Sequence, residues 1–291
     1  MTTGPTLSTP PGWYPDPHDP ASQRWWDGAT WTSHVAIPAA TIPARPAAQS
    51  VVAPPQGRWG LGDVGWTVVA VIVTFIIGVV IFAALAITSP DLVVGGALKY
   101  DAPAVAWLLV VTQLLVMGAL VGWPIIAAHW KGEGWRKSFG FVVNTRAFVI
   151  GGIGGIVTFV VMAALTALSS VVLGREVDSA AADVVSGMQN VTLAYATFLV
   201  IIAIGAPFVE EIAFRGLLWG GMVKHGWSPW VATSVSAVAF GAFHFEPLRI
   251  VALIAAGVTL GIVRHYAGLG ASMFSHAIVN TIGVVTLLAT T

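Results

Sequence analysis

Cysteine is absent from all 291 residues. That excludes disulfides, thiolate metal sites and a cysteine nucleophile, and it leaves the redox compartment unreadable. Charge is nearly as scarce: Asp, Glu, Lys and Arg make up 9% of the chain, with 13 acidic residues against 13 basic ones. A soluble domain needs far more charge to cover its surface. Together with 56% hydrophobic residues and a mean hydropathy of +0.84, this predicts a polytopic membrane protein. A net charge of zero provides no basic field of the kind nucleic acid attracts, so no nucleic-acid partner is expected. Also missing is a basic N-terminal stretch followed by an apolar core. No cleavable signal is therefore expected, and the first long apolar run reads as a retained anchor in the lipid bilayer.

What is present begins with aromatics. Residues 11–35 hold Gly12-Trp13-Tyr14-Pro15-Asp16-Pro17 and, further on, Trp25-Trp26-Asp27-Gly28. Asp27-Gly28 is a two-residue hairpin signal between strand-prone flanks, which predicts a very small β module held by Trp13, Trp25, Trp26 and Trp31. These strings resemble a short tryptophan-rich domain of unknown function (DUF2510-like) that precedes membrane segments in many actinobacterial proteins. The resemblance implies a bacterial plasma membrane as the location. The module is read either as a peptide- or envelope-binding adaptor or as a passive cap whose tryptophans are its core. Residues 36–57 are rich in Ala and Pro with almost no charge, which predicts an extended, semi-stiff tether.

Residues 58–291 are expected to form an all-α transmembrane domain of about seven helices. Hydrophobic segments run at roughly 63–88, 104–128, 147–173, 193–222, 229–245, 249–266 and 270–289, most of them near the ~20 residues that cross a bilayer core. The fourth is long enough to tilt, or to kink at Pro207. Arg45, Arg58, Lys131, Arg136, Lys137, Arg146, Lys224 and Arg264 fall in or beside alternate loops, while the remaining loops lean acidic. By the excess of Lys and Arg in cytoplasmic loops, the N-terminus is expected to be cytoplasmic. Glycine pairs at helical spacing, Gly151 with Gly155, Gly216 with Gly220 and Gly257 with Gly261, are expected at close helix crossings.

Three polar clusters interrupt the last hundred residues: Glu210-Glu211 with Arg215, Phe240 with His244, and His276 with Asn280. Ionisable residues within membrane segments are costly and mark working sites. A spacing of four stacks two side chains on one face of a helix. Glu211 and Arg215 are thus expected to pair, leaving Glu210 about 100° around the helix and free. The turn at Gly226-Trp-Ser-Pro229 lies midway between Glu210 and His244 and would set them level in an antiparallel pair. His276 fits less well, being only eight residues from the turn near Gly268, or ~12 Å along a helix.

In this order on successive hydrophobic segments, Glu-Glu-x-x-x-Arg, Phe-x-x-x-His and His-x-x-x-Asn resemble the CPBP intramembrane proteases. That family includes type II CAAX prenyl endopeptidases and Abi bacteriocin-immunity proteins. The resemblance implies that Glu210 and His244 activate water and that His276 and Asn280 stabilise the oxyanion. Glu211, Arg215 and Phe240 would support them. The expected activity is endoproteolysis of a membrane-associated peptide or protein near the cytoplasmic half of the bilayer; the alternative is a non-catalytic immunity or scaffold protein. A divalent metal such as zinc on Glu210, His244 and His276 is the competing account of the chemistry, although no His-Glu-x-x-His spacing is present.

Overall fold

The computed structural model describes residues 9–36, 57–94, 97–177 and 179–290. The chain divides into two units, residues 1–49 and 50–291. Apart from Ala36 and Gly57, the tether expected over residues 36–57 lies outside the described residues.

The first unit is a three-stranded antiparallel sheet of β1 (Gly12–Asp16), β2 (Asp19–Trp26) and β3 (Trp31–Ala36), in that order. Trp26 is buried and packs edge-on against Trp31, while Trp13 meets Trp25 edge-on from the exposed side. The turn at Asp27-Gly28 differs from the two-residue form expected. Four residues connect β2 to β3, because the Asp27 carboxylate accepts hydrogen bonds from the backbone of Ala29 (2.7 Å) and Thr30 (2.6 Å), and so closes a wider loop in which Gly28 takes φ of 99°. The Asp16 carboxylate, also buried, takes the Arg24 guanidinium at 2.9 Å and the His18 N–H at 2.9 Å. The Arg24 guanidinium beside it holds the Asp16 carboxyl below its ordinary value of 3.8.

The second unit is helical. Its helices are α1 (Leu61–Thr88), α2 (Pro103–Trp130), α3 (Trp135–Ser138), α4 (Thr145–Leu173), α5 (Ala180–Gly187), α6 (Thr192–Lys224), α7 (Pro229–Phe243), α8 (Ile250–Ala267) and α9 (Leu269–Thr290). Six of them (α1, α2, α4, α6, α8 and α9) are long and apolar enough to cross a membrane. The fifth expected segment forms α7, whose 15 residues are short for a bilayer core. Ser228 caps it through the Val231 N–H and Pro229 opens it. It ends where Phe245, with φ of 54°, turns the chain back on itself directly after His244.

The two ends of this unit are distinct. At one, which we call the basic end, the Lys224 ammonium donates to the carbonyls of Gly57 (2.6 Å) and Trp59 (2.5 Å), and Lys131 pairs with the buried Asp63. There Trp59, Phe139, Ile212, Leu217 and Leu269 form one fully buried cluster. At the other end, α5 packs against the starts of α2 and α6 through Val185, Met188, Ala106 and Phe198.

Two of the three glycine pairs, Gly151 with Gly155 and Gly257 with Gly261, stand at helix crossings, whereas Gly216 makes room for the Phe139 ring. A Cβ on Gly151 would come within 2.7 Å of the Ala271 carbonyl, binding α4 to α9. One on Gly257 would stand 2.7 Å from the Ala237 Cα, where α8 crosses α7.

Candidate functional site

Helix α6 carries the first cluster, and it is not a uniform α-helix. Two stretches, Ile201–Gly205 and Ile212–Leu218, are wound wider, with i to i+5 bonds. In the first, the Ala206 N–H bonds Ile201 rather than Ile202. The next wide bond would fall to residue 207, which is proline and has no N–H. The Ile202 carbonyl is left over, and Asn280 of α9 donates to it at 2.8 Å. Pro207 therefore does not break α6, which runs on to Lys224; it shifts the register and leaves a carbonyl for another helix to bind. In the second stretch, the Arg215 carbonyl takes the Arg264 Nε–H at 3.2 Å. Such wide turns within α-helices are frequent at functional sites.

Glu211 and Arg215 form the expected ion pair at 2.8 Å, and neither is exposed to solvent. Glu211 has further partners that the spacing does not disclose. Ser272 donates to its second oxygen at 2.5 Å, and Nδ1 of His276 lies 3.1 Å from its first. Arg215 in turn donates to the Gly257 carbonyl and lies over the Phe240 ring, 4.5 Å from the centroid. One buried carboxylate thus ties α6 to α9, and its guanidinium partner ties α6 to α8. Ser272 carries no signal in the sequence, and Arg264, expected as a loop-side charge, is instead buried and donates to the Arg215 and Phe139 carbonyls. A hydroxyl or an arginine near a predicted helix end carries no distinguishing signal without a partner in view.

Glu210 points elsewhere, as its place on the helix requires. It lines a cavity of about 800 Å³ together with Phe240, His244, His276 and Asn280. Side chains from three separate segments, as the family resemblance implies and the spacing of His276 does not, therefore share one chamber. Within it, His276 Nε2 stands 3.7 Å from Glu210 Oε2, too long for a direct hydrogen bond. That oxygen is buried and has no hydrogen-bond partner in the protein. His244 directs Nδ1 at the Phe240 carbonyl, 2.8 Å away. With the proton on Nδ1, its Nε2 is an acceptor. The Phe240 ring separates the two imidazoles, at 4.7 Å from His244 and 5.5 Å from His276.

The short distance from Gly268 to His276 is also accounted for. The Leu269 N–H bonds the Gly140 carbonyl, and Leu269 lies in the buried cluster beside Leu217 and Phe139. Helix α6 runs on past that level to Lys224, seven residues or ~10 Å beyond Leu217. Helix α9 therefore starts well inside the bundle, which lowers His276 to the depth of the glutamates. The residues from Trp135 to Phe141 fill the space it leaves.

A metal fits poorly. Among the described residues no group of three or more His, Asp or Glu side chains is gathered closely enough to hold an ion. Glu210, His244 and His276 share a cavity but do not converge as a ligand set.

Residues 192–282 match the family described as Type II CAAX prenyl endopeptidase Rce1-like, and residues 11–50 match the protein of unknown function DUF2510. Both resemblances carried by the motifs are thereby found independently, and the first match spans all three polar clusters. No curated protein and no solved structure matches the chain.

Proposed function

We propose that the cavity is the active site of an intramembrane endopeptidase that hydrolyses a peptide bond of a membrane-associated peptide or protein with a water activated by glutamate and histidine. The observation that carries this reading is that Glu210, His244, His276 and Asn280 all line one chamber. Its kind is supported by the match to the CAAX prenyl endopeptidases.

Amide hydrolysis needs a base for water and donors where negative charge develops. The unpartnered Glu210 oxygen and the acceptor Nε2 of His244 are two candidate bases on the cavity wall. His276, with Nδ1 anchored on Glu211, presents Nε2 to the cavity. As imidazolium it donates from Nε2 to the oxyanion, and Glu211 stabilises that charge from behind. Asn280 spends one amide hydrogen on Ile202 and keeps a second. The wide turn of α6 sets the direction of the amide and leaves that second hydrogen for the scissile carbonyl. Phe240 keeps the two rings apart. The location that goes with this reading is a bacterial plasma membrane with the N-terminus cytoplasmic, and the partners are the bilayer and the substrate.

The test is the full-length protein in liposomes with a peptide library. Wild type should release fragments, and Glu210→Gln, nearly isosteric, should reduce the rate at least 100-fold. A non-catalytic immunity or scaffold protein predicts instead that no peptide is cut and that Glu210→Gln keeps its cellular phenotype. That outcome would retire the peptidase.

A further inference from the structure

The cavity is not centred in the bundle. Its floor is the level of Glu210, His276 and Leu260, and from there its walls run in one direction only. On α2 they are Leu109 to Gln113, close to the start of that helix; on α4, Thr158 to Ser170, its later half; on α9, His276 to Leu287, away from its first turns. Each stretch leads to the end of the unit where α5 packs and where the α1–α2 connection lies, with Tyr100 against Gly187. The rim is formed by Ser170, at the last turn of α4, and by residues 179–182 at the head of α5.

Polar side chains mark the route. Thr112, Gln113, Thr166, Ser170 and Ser179 all line it, on or beside helices that are otherwise strongly apolar. Below the floor the described residues are closely packed. Glu211 and Arg215 are fully buried, Arg264 is 1% exposed, and the cluster of Trp59, Phe139, Leu217 and Leu269 closes the basic end.

Charge gives the two ends different addresses. The basic end carries Arg58, Lys131, Arg136, Lys137, Arg146 and Lys224, with Asp63 and Glu133; among the described residues the rim end carries Lys99, Arg175 and Arg249, the last paired with Glu246, alongside Asp91, Asp101, Glu176 and Asp183. Loops rich in Lys and Arg stay in the cytoplasm. We infer that the cavity opens to the non-cytoplasmic face of the membrane, so that the site takes water and substrate segments presented from outside the cytoplasm. As to what enters, this rests on the peptidase reading, and it names the substrate class: an outward-facing juxtamembrane segment. It departs from the expectation of cleavage near the cytoplasmic half. The sequence shows which loops are basic but not toward which of them a cavity runs.

The absence of native cysteine makes the test direct. Single cysteines are placed in the full chain by Ser170→Cys at the rim and Lys137→Cys at the basic end, where the Lys137 side chain is 75% exposed. In intact cells, a membrane-impermeant maleimide should label Ser170→Cys at least ten times faster than Lys137→Cys, and permeabilisation should bring the two level. Labelling of Lys137→Cys from outside would show the chain inverted, and labelling of Ser170→Cys only after permeabilisation would show the cavity opening inward. A Ser170→Cys that stays unlabelled in both states would show it closed. Each of these three results overturns the inference. None requires cleavage, so a failure here is distinct from a failure of the peptidase reading.

Discussion

Asn280 donates its side-chain amide to the carbonyl of Ile202 at 2.8 Å, across 78 residues of sequence. The carbonyl is free because α6 is wound wide there and Pro207 cannot supply the next N–H. The same side chain faces the cavity, so a backbone irregularity in one helix orients a candidate catalytic group in another.

Asn280→Asp should therefore be more damaging than its size suggests. A carboxylate would set one acceptor against another and leave a buried carbonyl unsatisfied, at a cost of about 1–3 kcal/mol. Thermal unfolding in detergent should show the loss, and cleavage should fall at least 100-fold. Asn280→Gln, which keeps the donor on a longer arm, should recover part of the stability but little of the activity.

Glu211 has a different part from Glu210. Glu211→Ala leaves Arg215 buried without its counter-ion and removes the anchor of His276, so a loss of about 3–5 kcal/mol is expected, the range for breaking a buried pair. Glu210→Ala removes a carboxylate whose buried Oε2 has no hydrogen-bond partner in the protein, and should leave stability within about 1 kcal/mol while abolishing cleavage. Melting curves of the two variants side by side separate support from chemistry.

The crossing of α7 and α8 is a third point of attack. In Gly257→Ala, the new Cβ meets Ala237 Cα at 2.7 Å, so α7 must move. Overpacking of this kind costs about 1–3 kcal/mol. Because α7 carries Phe240 and His244, the shift should lower kcat more than it raises KM, although the substituted residue does not line the cavity.

In the aromatic module, acid should act through Asp16. Its carboxyl ionises more readily when folded, so its contribution is complete above the ordinary value of 3.8. As pH falls below that value and through the lower folded one, the contribution is lost. Hydrogen-exchange protection of residues 12–36 in the full-length protein, corrected for the intrinsic rate, should drop as the pH falls below about 4. Asp16→Asn should flatten that fall.

Much of this protein could be read from local order along the chain. Apolar length set the long helices, because a bilayer core demands a fixed span. A spacing of four set the Glu211–Arg215 pair and put Glu210 on another face, because helical periodicity alone decides which neighbours meet. Clustered tryptophans and turn residues marked the β module. What the sequence could not determine depended on relations between segments. The inward start of α9, the bond from Asn280 to Ile202, the place of His276 between two glutamates and the direction in which the cavity runs all depend on where helices settle along one another. That depth is decided by packing at Phe139, Leu217 and Leu269 and by backbone groups left over after a proline, and no residue shows such a contact until its distant partner is in place.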